Sequence, residues 1–172
     1  MLRFLGIALL VSGSIGLGLS ARDRLKNNLE VLYQIRQIFK MFQNEITYSR
    51  APLPEACRRI GMRMEEPYRN AFLMIHEEML ENNGKSFTVI WKKHMEKCLK
   101  EIPVSQEDKK IFLDFGNCIG FADGEMQAEA MEQYMHKINI SVERLEKDMV
   151  NKCKVIMSLS VMGGLMIAVI LI

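Results

Sequence analysis

Charge of one sign in excess is missing from this chain: 23 Lys and Arg stand against 21 Asp and Glu, a formal net charge of +2. Duplex nucleic acid demands a concentrated positive footprint, so no nucleic-acid partner is expected. Turn formers and aromatics are also scarce, with 4 Pro, 11 Gly and 8% aromatic residues, and no stretch alternates strictly between apolar and polar with β-branched enrichment. An all-β fold is thereby excluded. The four cysteines, Cys57, Cys98, Cys118 and Cys153, include no CxxC pair, which excludes a zinc ribbon or thioredoxin-type centre and leaves buried free thiols as the reading. The three histidines fail their motifs. His76-Glu77 opens like a zincin helix, but position 80 is Leu80. A di-iron bundle needs Glu three residues before His, and Leu73, Trp91 and Gln133 occupy those places. His94 and Cys98 share a helix face without a second pair to complete a metal site. There is no GxGxxG, P-loop or GxSxG, so no catalytic residue, metal or cofactor is expected and the chain reads as non-enzymatic.

What is present is unevenly distributed. A mean hydropathy of +0.01 averages two very apolar ends with a charged middle. Phe4 to Ala21 and Val155 to Ile172 carry no charge. As helices, each run is about 27 Å long, just short of a hydrocarbon core of roughly 30 Å. A helix without a polar face is a poor pattern for a soluble core, so both ends are expected to span a membrane. Arg22, Arg24 and Lys26 follow the first run, and Lys152 and Lys154 precede the second. Both biases place the middle on the cytoplasmic side. The expected organisation is a transmembrane helix over 1–21, a cytoplasmic domain over 22–154 and a second transmembrane helix over 155–172. The alternative is an exported helical binding protein with a cleaved signal peptide ending near Ala21 and a carboxy-terminal anchor. Within the spans, Ser12 and Gly16, then Ser160, Gly164 and Ala168, stand at the small-xxx-small spacing that lets helix backbones approach.

The middle reads as all-α, a bundle of about six helices. Leu25, Leu29, Leu32, Ile35, Ile38, Phe39, Phe42 and Ile46 recur at steps of three and four, the pattern of one long amphipathic helix. Pro52 and Pro67 open the next two, and Asn82-Asn83-Gly84 stops the second of these. Ser86 and Ser105 are N-caps for two more, the latter in Ser105-Gln106-Glu107-Asp108, which resembles a capping box. A last helix runs from Glu125 without Gly or Pro into the second apolar run.

Two stretches carry a family resemblance. Glu45-Ile46-Thr47-Tyr48 with Pro52-Leu53-Pro54-Glu55-Ala56 resembles the E-I-x-Y-x-x-x-P-L-x-E-A stretch of the stage III sporulation protein AB family. Phe115-Gly116-Asn117-Cys118-Ile119-Gly120 with Asp123 is similar to that family's F-G-x-x-x-G-x-x-D, and Trp91 falls where the family carries one. The resemblance implies a membrane protein of the mother cell of endospore-forming bacteria, within the channel-like complex that supports the forespore. Its soluble part is similar to the cytoplasmic helical domain of type II secretion and type IV pilus platform proteins. The partners so implied are a secretion-type ATPase, sporulation protein AA, and other membrane subunits of the channel; a homo-oligomer is a further expectation. The platform proteins often carry Gly-Glu where this chain has Gly116-Asn117, a departure that removes an acidic contact there. Glu45, Tyr48, Pro52, Leu53, Ala56, Trp91, Gly116, Gly120 and Asp123 are the motif positions. Glu55, Arg58 and Arg59, beside the first motif and on the outer face of a short helix, are the residues expected to meet the ATPase. Gly16, Ser160, Gly164 and Ala168 are the expected packing positions in the membrane.

Overall fold

The apolar stripe of the first amphipathic helix turns inward from Leu29 to Phe42, with Leu25 and Ile46 at its ends only half-buried. The structure is a computed structural model and describes residues 23, 25–81, 84–100, 102–119 and 124–171; beyond residue 152 it describes side chains only at 154, 155, 158, 162 and 163. Helix α1 runs through 25–43 and ends in a π-helical turn, Asn44–Tyr48. It is followed by α2 (Leu53–Arg63), α3 (Tyr68–Leu80), α4 (Phe87–Lys100), α5 (Gln106–Cys118) and α6 (Gly124–Leu171). The expected all-α architecture is present, with six helices and no strand among the described residues.

The helix boundaries follow local chemistry. Pro52 occupies the N-cap of α2 and its carbonyl accepts from the Ala56 N–H at 2.9 Å. Pro67 occupies the same place before α3. Gly84 takes φ 73°, a conformation that L side chains resist, just after α3. At α5 the expected N-cap forms, though as a side-chain pair rather than a reciprocal capping box: the Ser105 hydroxyl accepts from the Asp108 N–H at 3.1 Å and donates to Asp108 Oδ2 at 2.5 Å.

The chain divides into two compact units, Glu30–Val142 and a second made of Met1–Leu29 with Glu143–Ile172. In the first, α2 packs on α3, α3 on α4 and α4 on α5. Their shared centre is aromatic. Trp91 of α4 is fully enclosed, with ring centroids 5.2 Å from Phe112, 5.6 Å from Phe42 and 5.8 Å from Phe72. Phe39 of α1 stacks on Phe115 of α5 at 3.9 Å, and Tyr134 of α6 meets the Phe115 ring edge-on at 5.9 Å. Each large side chain so buried contributes on the order of 2–3 kcal/mol of transfer free energy.

In the second unit, the backbone of α6 is helical through the apolar run up to Leu171. Among the described residues no helix is long and apolar enough to cross a membrane. The first expected span, 1–21, lies outside the described residues, as do most side chains of the second, 155–172.

Candidate functional site

The corner between α1 and α2 gathers the first motif. An acid stands on the inward stripe of α1, since Ile38, Phe42 and Glu45 follow the i, i+4, i+7 spacing. The Glu45 side chain is only 5% exposed, and a buried carboxylate requires partners. They come from α2: Arg59 Nη1 donates to Glu45 Oε2 at 3.0 Å, and Arg63 Nη1 lies 3.6 Å from Oε1. The π-helical turn that holds Glu45 carries one residue more per turn than the α-helix before it, so the chain widens where it turns toward α2.

A second carboxylate completes the cluster. Glu55, in the first turn of α2, accepts two hydrogen bonds from Arg58, from Nε and Nη2, both at 2.8 Å. It accepts a third from Arg59 Nε at 2.9 Å. These guanidinium hydrogen bonds hold its pKa at about 2, and the carboxylate raises both arginines in return. Arg59 therefore bridges Glu45 and Glu55, tying α1 to α2. The three residues expected to meet a partner do come together on an exposed helix face, and their first partners are one another and Glu45.

The other motif residues divide by role. Ala56 is fully buried, Leu53 half-buried and Pro52 exposed. Tyr48 is 81% exposed and, among the described residues, its side chain makes no hydrogen bond or ring contact. Two residues on, Arg50 adopts φ 47°, a left-handed conformation that costs a side-chain-bearing residue roughly 1–2 kcal/mol.

The second motif meets Trp91. A Cβ added to Gly116 would lie 2.6 Å from Trp91 Cγ, closer than atoms pack, so the indole occupies the space that a side chain would take. Trp91 Nε1 donates to the Phe112 carbonyl and the Thr88 hydroxyl to the Gly116 carbonyl, both at 3.3 Å. Gly116 is thus a close-packing position, and Trp91 the group it receives. Gly120 and Asp123 lie outside the described residues, as do Gly16 and the surroundings of Ser160, Gly164 and Ala168, whose backbone belongs to α6.

A second ionic cluster was not anticipated. Glu78 of α3, 9% exposed, accepts from Lys85 Nζ at 2.7 Å, Lys93 Nζ at 2.6 Å and His94 Nε2 at 2.7 Å. The lysine and histidine hydrogen bonds hold its pKa at about 2. The signal was available: Ala71, Ile75 and Glu78 repeat the spacing that turns Glu45 inward. His94 faces this carboxylate. It also lines, with Lys97, Cys98 and Met74, a cleft of about 80 Å³, well below the several hundred of a usual small-molecule site. His76 Nδ1 donates to the Pro54 carbonyl at 2.8 Å. Among the described residues no group of three or more His, Cys, Asp or Glu is placed to hold a metal ion.

Fold and site define a class: an all-helical domain whose charged groups pair between neighbouring helices around an aromatic centre. The family described as stage III sporulation protein AB matches residues 3–172, and the chain belongs to it. A solved structure titled "Stage III sporulation protein AB (SpoIIIAB)" superimposes with a TM-score of 0.66 at 17% identity, covering 72% of this chain and 97% of that one. That likeness concerns the fold. No curated protein matches the chain. Membership of the family gives the chain a role in sporulation.

Proposed function

We propose that the protein is a non-enzymatic, membrane-anchored platform of a sporulation channel complex, coupling a secretion-type ATPase to the membrane assembly. The observation that carries this reading is the family match over 3–172, which takes in both apolar ends as well as the helical middle. In this reading 1–21 and 155–172 are transmembrane helices, and the basic residues beside them hold 22–154 in the mother-cell cytoplasm. There the domain meets the ATPase, resembling sporulation protein AA, while Gly16, Ser160, Gly164 and Ala168 serve contacts with other membrane subunits or a second copy. The outer face of α2 supports the docking role, because it presents Arg58 and Arg59 already oriented by Glu55 and Glu45.

The test is binding of the ATPase to the full-length protein in lipid nanodiscs, with nucleotide hydrolysis followed alongside. The expected result is a complex in which all hydrolysis tracks the ATPase. Absence of a complex overturns the coupling role. A mature chain beginning near Arg22, with the middle labelled from outside intact cells, would favour the exported alternative.

A further inference from the structure

We infer that the outward face of the α1–α2 corner takes an acidic segment of a partner protein, read by Arg58, Arg59 and Arg63 beside Tyr48 and Met62. The inference rests on the adaptor reading for the existence of a partner and adds the partner's chemistry. Three independent features of the corner carry it.

The first is the set of donors left over. A guanidinium has five N–H groups. Among the described residues Arg58 commits two to Glu55, and Arg59 commits one to Glu55 and one to Glu45, leaving three on each. Their side chains remain 45% and 43% exposed, and that of Arg63 is 61% exposed. Glu45 and Glu55 fix the planes of the first two, so an incoming carboxylate meets forks already aligned, the geometry that favours bidentate pairing.

The second is charge. Between Glu45 and Arg63 the chain carries Arg50, Arg58, Arg59 and Arg63 against two carboxylates, Glu45 and Glu55, a positive excess of two. A lipid surface is read by clusters of roughly four to eight basic residues without internal counter-charges, and this face is too neutralised for that. A short acidic segment matches it in size and sign.

The third is apolar and strained surface without structural use. Met62 is 62% exposed and stands four residues from Arg58 and three from Arg59, on the same side of α2. Tyr48 is 81% exposed, and Arg50 beside it is held in the left-handed region. Tyr, Met and Arg are the side chains that protein interfaces concentrate, and backbone strain gathers where a surface is kept for binding.

The experiment uses the full-length protein in neutral phosphatidylcholine nanodiscs. The probe is a fluorescent helical peptide of alternating Glu and Leu, with its Lys-for-Glu counterpart as control. The expected result is binding of the Glu peptide, weakened at least tenfold by Arg58→Gln with Arg63→Gln and severalfold by Tyr48→Ala. Lys97→Gln with Lys100→Gln, exposed lysines of α4, should leave it unchanged. Equal binding of the two peptides overturns the inference without reliance on any variant's folding. So does preference for phosphatidylserine vesicles over the Glu peptide.

Adding the ATPase separates this inference from the adaptor reading. An ATPase that binds all variants alike and is not displaced by the Glu peptide removes this docking face and leaves the adaptor. A Glu peptide that binds as described while the ATPase does not removes the adaptor and leaves the face.

Discussion

Glu45 at the first corner and Glu78 on α3 begin from the same situation, an acid on an apolar helical stripe, nearly enclosed and ringed by cations. They differ in the geometry of the cations, since Lys85 and Lys93 are as exposed as the arginines but offer rotatable ammonium groups where the arginines offer fixed planes. Around Glu78, Lys85, Lys93 and His94 converge on one carboxylate, and the cluster closes α3 against α4. Around Glu45 and Glu55 the cations are arginines, whose planar forks serve two carboxylates and still face solvent with unused donors. The same demand, that a buried charge be paired, yields a staple between α3 and α4 in one place and an array of oriented planar donors in the other. Cation type, more than charge count, separates them.

The most severe way to break the comparison is to remove the frame on which both clusters hang. Gly116→Ala forces a methyl against the enclosed Trp91 ring, and overpacking of this kind costs about 3 kcal/mol. Urea unfolding followed by Trp91 fluorescence should show the loss, and both clusters should weaken together.

Acid is the next lever. Glu55 and Glu78 have folded-state pKa values of about 2 against an ordinary 4.5, so their pairing contributes fully above pH 4.5 and is lost as pH falls toward 2. The unfolding midpoint should therefore drop across that window, and Glu78→Gln should flatten the drop. If Glu55→Gln flattens it and Glu78→Gln does not, the staple is the weaker of the two clusters and the contrast drawn here reverses.

Glu45→Gln sharpens the contrast at a single residue. It removes the charge that orients Arg59, and a buried hydrogen-bonded acid replaced by an amide costs about 2 kcal/mol. Binding of the Glu peptide should weaken as well, whereas Glu78→Gln should leave that binding intact.

The smallest effect has the opposite sign. Arg50→Gly relieves the left-handed conformation, and after the added freedom of the unfolded chain is set against it the protein should gain about 0.5 kcal/mol. The same change removes one positive charge from the corner, so the midpoint should rise while peptide binding falls modestly.

The helices were legible because their boundaries rest on local chemistry. The Pro52, Pro67 and Ser105 starts and the Asn82-Asn83-Gly84 stop act within a few residues, and the structure places α2, α3 and α5 where they require. The corner was legible only in part. Glu55 with Arg58 and Arg59 is an i, i+3 and i, i+4 arrangement visible on one helix, but Glu45 lies fourteen positions from Arg59, and that contact exists only after two helices have packed. The π-helical turn and the left-handed Arg50 left no trace in apolar periodicity, since a widened turn shifts the stripe by one place just where the pattern ends. Trp91 and Gly116 were read as separate marks, because nothing in sequence spacing says that a ring on α4 fills the absence of a side chain on α5.

Burial of the thiols gives the bundle a clock. Cys57 on α2 and Cys118 on α5 are enclosed, and burial pushes both up to about 12. At pH 8 a thiol of that kind is ionised in about one molecule in ten thousand, so an alkylating reagent has almost nothing to attack while the helices stay packed. The rate at which each cysteine is modified in the native state then counts the openings of its own neighbourhood. Cys57 times the departure of α2 from the corner, and Cys118 times the lifting of the segment that seats Trp91. A partner seated at the corner would slow the first clock and leave the second running.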